Sequence, residues 1–285
     1  MKTYNENKPI RLVIDNTQAP SYNIAKFLNN RLKNYINLPD TYITKNSQEI
    51  VQELHNTQIR ANHKIITLDI NDLYVNLPRK GIIQVTRFWL DRNNINNTIT
   101  EQIIHLLKVI LGQNYFQYNN QFFQQDKGIT MGSPISSTLA EVYLQFIEET
   151  RIKQLMENQE IIYYKRYVDD ILIIFDHNKI NKTTIIDCVN KLDEHLEFKA
   201  SQEIDRLTNY MDLTIYRNTN TIDLSIYRKP THADITIQSS SNHPLDYKLA
   251  AFSYYINRMI TLPITKQALE QEWDKILNSP KQSLS

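Results

Sequence analysis

The chain has 285 residues, 41% of them apolar and 22% charged, which suits a globular protein with a sizeable core and excludes a disordered chain. Its formal charge is only +1, and Cys188 is its single cysteine, so an internal disulfide framework and a cysteine-built zinc site are excluded. The opening residues MKTYNENKPI lack the apolar segment of a secretory signal, and no apolar run approaches the roughly 20 residues of a membrane span.

In chain order, KIITLDI (64–70) reads as a buried strand that closes on Asp69. LPRKGIIQVTRFWLDRNN (77–94) reads as a helix with Pro78 at its start. ITEQIIHLLKVILG (99–112) carries Ile103, Leu106, Leu107 and Ile110 at helical spacing and stops at Gly112. YFQYNNQFFQQ (115–125) predicts a hairpin that turns at Asn119 and Asn120. Residues 133–155 predict one long amphipathic helix with Leu139, Val142, Tyr143, Phe146 and Ile147 on one side. YYKRYVDDILIIF (163–175) predicts a second hairpin with Asp169 and Asp170 at its centre. A helix over 181–196 follows, with Asn181 as its N-cap. Residues 209–229 read as strand–turn–strand, and helical segments run from about Pro244 to Leu277. Strands and helices so mixed predict an α+β fold.

Two adjacent carboxylates in an apolar frame repel each other and lose hydration. A solvated turn, protonation of one group, or a divalent cation would each relieve them. Asp69 stands in a matching context, at the end of another apolar strand. Were that strand to pair beside the hairpin, Asp69, Asp169 and Asp170 would converge at one sheet edge. Three carboxylates without His or Cys suit Mg²⁺ or Mn²⁺ rather than zinc. Two such ions on shared aspartates make a site for in-line nucleotidyl transfer. Charge along the chain is consistent with this. Lys/Arg outnumber Asp/Glu nine to five in residues 1–64 and six to three in 216–266, whereas 65–215 carry fifteen against twenty. An acidic centre would hold cations and basic flanks would hold polyphosphate.

RYVDDILIIF resembles the catalytic hairpin of reverse transcriptases, LDINDLY their first aspartate motif, and GITMGSPISSTLAEVYL their glycine-serine-proline loop and helix, all in the expected order. SIYRKPTHADITIQSSSNHPLDYK (225–248), NNQFFQQDKGITMGSP and RLVIDNTQAPSYNIAKFL resemble Penelope-like retroelements, a group commonly placed near telomerase. The resemblance covers about residues 8–260.

The resemblance implies a right-hand polymerase with an antiparallel-sheet palm, built around the strands at 65–70, 163–175 and 209–229. Fingers and palm would occupy residues 1–239, and a partial helical thumb 240–285. Asp69, Asp169 and Asp170 would be catalytic and would hold two Mg²⁺ or Mn²⁺ ions, with the backbone carbonyl of Ile70 as a further ligand. Tyr74 would be the steric gate against the ribose 2′-hydroxyl. Arg11 would clamp the triphosphate, and Gly132, Ser133 and Pro134 would form the floor beneath nucleotide and template. Tyr227, Arg228 and Lys229 would grip the primer. His232 reads as structural. The implied activity is RNA-directed DNA polymerisation on an RNA template and DNA primer with deoxynucleoside triphosphates; the alternative is a catalytically inactive, truncated or domesticated nucleic-acid-binding relative. The family implies an intracellular, nuclear protein without membrane attachment, although no targeting signal is visible. Fingers and thumb are expected to be truncated, and no GIY-YIG endonuclease segment is expected.

Overall fold

The computed structural model describes residues 13–229, 237–238, 240–262 and 264–282. Arg11 and His232 lie outside the described residues. The first elements are α1 (Tyr22–Tyr35), α2 (Ser47–Asn56), β1 (His63–Ile70), α3 (Leu73–Asn76), α4 (Arg79–Arg92) and α5 (Asn97–Gly112). Next come β2 (Tyr115–Tyr118), β3 (Gln121–Gln124), α6 (Ser136–Ile147), a π-helical turn (Glu148–Ile152), α7 (Lys153–Glu157), β4 (Ile161–Tyr167) and β5 (Asp170–Asp176). The chain continues through α8 (Lys182–Leu192), β6 (Phe198–Gln202), β7 (Leu207–Tyr210), β8 (Leu213–Arg217), β9 (Ile222–Ile226), α9 (Leu245–Thr261) and α10 (Lys266–Gln282). They divide into two compact units: Met1–Thr41, Ile70–Gln154 and Cys188–Phe198 in one, Tyr42–Asp69, Leu155–Asp187 and Lys199–Ser285 in the other.

The first unit is mainly helical. α4 packs on α5 and α6, and α1 packs on α5 and α6. The Trp89 indole, 1% exposed, donates to the Val142 carbonyl at 2.9 Å, so the largest core side chain also satisfies its polar atom. The β2–β3 ribbon turns at Asn119 and Asn120, with φ of 49° and 59°. This is the left-handed pair that a two-residue turn demands and that asparagine tolerates. The helix expected over 133–155 is interrupted: α6 gives way to the π turn before α7 resumes. Within that turn the Thr150 hydroxyl donates to the Phe146 carbonyl at 2.7 Å, back-bonding of the kind that bends helices.

The second unit holds two sheets. One has the strand order β4-β5-β1-β6, with β5 antiparallel to both β4 and β1. Ile65, Leu172 and Ile174 from it join one core with Leu213, Ile215 and Leu224 from the other sheet, Tyr255 and Met259 from α9, and Ile276 from α10. The segment expected as strand–turn–strand is three strands, β7-β8-β9, in a sheet of their own. The extra turn falls at Met211, whose φ is +52°, between Tyr210 and Leu213, which pair directly. α8 ends at Leu192, short of 196, because the Asp193 carboxylate accepts from the His195 amide at 2.8 Å and bends the chain. α2, absent from the sequence reading, has an asparagine N-cap: Asn46 Oδ1 accepts from the Glu49 amide at 3.0 Å, and Glu49 Oε2 reaches back to accept from the Lys45 amide at 2.8 Å. α9 and α10 are helical, as expected.

Candidate functional site

The β1–β5 ladder places Asp69 directly opposite Asp170. Such facing residues hold their Cβ atoms about 4.5–5.5 Å apart, so the ladder brings these two aspartates together. Tyr167 pairs with Asp170 across β4 and β5, leaving Val168 and Asp169 as a two-residue turn. Asp169 therefore lies beside the ladder rather than in it. Asp69 and Asp170 are exposed and Asp169 is half-buried, so water reaches all three. Ile70, buried, closes β1 immediately after Asp69.

Among the described residues, no group of three or more His, Cys, Asp or Glu side chains gathers to hold an ion by itself. The expected three-carboxylate convergence is thus a facing pair, with the third carboxylate set off by the turn. Mg²⁺ is usually held by one or two carboxylates, with substrate phosphates completing its shell. An oxygen-only pair of Asp69 and Asp170, with Asp169 next in the chain, fits the protein's share of such a site.

Tyr74 and the loop 128–134 lie in the first unit. The Tyr74 carbonyl accepts from the Ile129 amide at 2.7 Å. Gly128 has φ of +74°, and a Cβ there would run into the carbonyl oxygens of Tyr74 and Val75. Arg79 ties down the same loop, Nε to the Gly128 carbonyl at 2.7 Å and Nη2 to the Gln125 carbonyl at 2.6 Å. Gly128 and Gly132 were legible as two glycines in one short loop, whereas no local pattern pointed to Arg79. Gly132 has φ of +105°, and a Cβ there would meet the Ile14 carbonyl oxygen. The Ile14 amide donates to the Met131 carbonyl at 3.0 Å, so the glycine admits the backbone at residue 14. Ser133 and Pro134 make the turn into α6: the Ser136 amide donates to the Ser133 carbonyl at 3.2 Å and its hydroxyl to the Thr130 carbonyl at 2.7 Å.

The three residues expected to grip a primer have different environments. Tyr227, just past β9, donates its amide to the Asp212 carbonyl at 2.8 Å, and its own carbonyl accepts from Arg258 at 2.7 Å. Arg228 is turned inward: Nε donates to Glu272 Oε1 at 3.1 Å, Nη2 donates to the same oxygen, and the guanidinium lies 4.7 Å from the Tyr255 ring centre. Lys229 is exposed. A phosphate-facing role therefore fits Lys229 and does not fit Arg228, whose charge is already matched by a buried carboxylate.

Behind the aspartate hairpin, the Tyr163 hydroxyl donates to Glu53 Oε2 at 2.8 Å, and Lys165 Nζ lies 2.8 Å from Glu53 Oε1. Burial, then the Glu53 carboxylate, push the Tyr163 phenol well above its ordinary value. At the far end of the same ladder His63 faces Asp176. Burial lowers the His63 imidazole below its ordinary value against the pull of Asp176. Burial pushes the Asp176 carboxyl up, but the Asn178 amide and the Asn62 side chain outweigh it and hold the group below the usual carboxylate range.

Residues 5–203 match the family model described as reverse transcriptase (RNA-dependent DNA polymerase). Telomerase from Candida albicans, solved with a TWJ fragment of telomeric RNA, superposes with a TM-score of 0.60 at 12% identity, over 92% of this chain and 48% of that one. Apo telomerase from Candida tropicalis gives 0.56 at 14% identity, over 93% and 50%. These likenesses show a shared fold, and the chain spans about half the length of the solved structures it matches. A lysine–tRNA ligase from Buchnera aphidicola is 23% identical over 65% of this chain and 43% of its own length, too distant to show a family. Among the described residues, no helix is long and apolar enough to cross a membrane.

Proposed function

Because the chain belongs to the reverse transcriptase (RNA-dependent DNA polymerase) family, we propose that it binds a template–primer duplex of RNA and DNA. The observation that carries this reading is the family match over residues 5–203. A telomerase of similar fold was solved with a fragment of telomeric RNA, which is compatible with this reading. Exposed Lys229, at the end of the β7-β8-β9 sheet, would contact backbone phosphate. Binding of an RNA–DNA hybrid should weaken as salt rises, with a linear slope of log affinity on log salt. Affinity that is absent, or flat in salt, would reject the reading.

A second, finer reading is favoured by one observation, the register that sets Asp69 opposite Asp170. In it the chain is an RNA-directed DNA polymerase of the Penelope-like branch, with fingers and palm in 1–239 and a helical thumb in 240–285. Asp69, Asp169, Asp170 and the Ile70 carbonyl would hold Mg²⁺ or Mn²⁺, which would activate the primer hydroxyl and stabilise the leaving pyrophosphate. Tyr74 would exclude ribose, Gly132, Ser133 and Pro134 would underlie the nucleotide, and Arg11 would clamp its phosphates. Such a protein would work in the nucleus. Primer extension on an RNA template with Mg²⁺ or Mn²⁺ separates the two readings. Extension by the parent, abolished in a folded Asp169→Asn variant, supports polymerisation. Binding without extension leaves the first reading alone.

A further inference from the structure

The turn that carries Asp169 is strained and is held from beneath at two points. Val168 has φ of +55°, and the loop has only two residues. The first position of such a loop favours glycine, and a β-branched side chain is a genuine outlier there. A residue in this conformation persists only where its surroundings over-determine it.

The surroundings are specific. Arg166, in β4, is 1% exposed and is among the largest fully buried side chains of the described residues. Its Nη1 donates to the Val168 carbonyl at 3.0 Å. Its backbone is pinned on the outer side of β4, where its amide donates to the Tyr42 carbonyl at 2.8 Å and its carbonyl accepts from the Thr44 amide at 3.0 Å. Tyr210, at the end of β7 and 3% exposed, donates its hydroxyl to the Asp170 carbonyl at 3.3 Å, with the Lys165 carbonyl at 3.5 Å. The Val168 and Asp170 carbonyls bracket Asp169 in the chain. A buried guanidinium thus holds the peptide unit before it, and a buried phenol holds the Asp170–Ile171 peptide one residue beyond it.

We propose that Arg166 and Tyr210 are positioning residues that clamp the strained Val168–Asp169 turn and so fix the direction of the Asp169 carboxylate. Burying a guanidinium is costly, and a Met at position 166 would fill similar volume without that cost. Among what the arginine adds is a donor aimed at the turn. As a matter of metal binding, the inference rests on the reading in which the aspartates hold Mg²⁺ or Mn²⁺. As a matter of turn conformation it stands alone.

The test compares the parent with Tyr210→Phe, Arg166→Met, Val168→Gly and the Arg166→Met/Val168→Gly double variant. Two readouts are taken on the full chain: amide hydrogen exchange of the peptide spanning 161–172, and Mn²⁺ binding followed by electron paramagnetic resonance. Tyr210→Phe and Arg166→Met should speed exchange at residues 168–170 and weaken Mn²⁺ binding by about tenfold, the scale expected when a partner behind a metal ligand is lost. Val168→Gly should restore both in the arginine variant, because glycine takes the positive φ without strain. A merely structural arginine would not be rescued by a glycine at the turn. Unchanged exchange at 168–170 in folded Tyr210→Phe and Arg166→Met overturns the clamp. If Arg166→Met does not fold, Tyr210→Phe decides by the same criterion. A parent that binds no Mn²⁺ rejects the metal reading, while the exchange data still decide the clamp.

Discussion

Arg228 and Lys229 are neighbours in sequence, yet their replacement should have opposite signatures. The Glu272 carboxylate is 2% exposed and takes both Nε and Nη2 of Arg228, whose side chain is 13% exposed. Arg228→Met leaves that carboxylate with the Lys275 ammonium at 3.9 Å, on a side chain that is 56% exposed. Removing one partner of a buried pair costs about 3–5 kcal/mol, and loss of the contact with the Tyr255 ring adds about 1 kcal/mol. With a urea slope of about 3 kcal/mol per molar, the unfolding midpoint should fall by about 1–2 M. Arg228→Met/Glu272→Met should recover most of the loss, since replacing both charges removes the orphaned group. Hybrid binding by Arg228→Met, measured where the variant is folded, should keep the parental salt slope. Lys229→Ala should keep the parental midpoint and lower the slope by about 0.9, one phosphate contact. A stable Arg228→Met variant, or one that flattens the salt slope, would refute the inward assignment of Arg228.

Gly132→Ala should cost about 1–3 kcal/mol in chemical denaturation, because the positive φ and the Ile14 carbonyl both oppose a Cβ; a neutral effect would mean that residue 14 moves aside freely. His63 has a lowered folded-state value, so the unfolded chain binds its proton first on acidification. Its contribution is therefore full above about pH 6.5 and is lost as pH falls through the folded value, and His63→Gln should flatten stability against pH in that window; equal pH dependence in the two proteins would contradict this. In primer extension with each triphosphate set, Tyr74→Ala should raise ribonucleotide use relative to deoxyribonucleotide use, and Tyr74→Phe should preserve the parental ratio. Parental discrimination by Tyr74→Ala would assign Tyr74 to packing.

What the sequence determined by itself is what a short window of chain can encode. Asn119 and Asn120 specify the β2–β3 turn because asparagine tolerates the left-handed region that such turns require. Apolar runs that end on Asp69 and surround Asp169 specify two strands with carboxylates at their ends. The N-cap at Asn46 is equally local, although α2, which it starts, was missed in the sequence. Tertiary structure alone decided which distant groups meet. The register of Asp69 on Asp170 depends on two strands about a hundred residues apart. The segment 209–229 reads as strand–turn–strand, yet β7, β8 and β9 form a three-stranded sheet of their own, because strand pattern specifies a buried face and not a neighbour. Arg228 looks like any basic residue at a strand end until Glu272, 44 positions on, is folded against it. The Glu272 carboxylate, carried on α10 and buried by the fold, needs that cation, and only folding creates the desolvation.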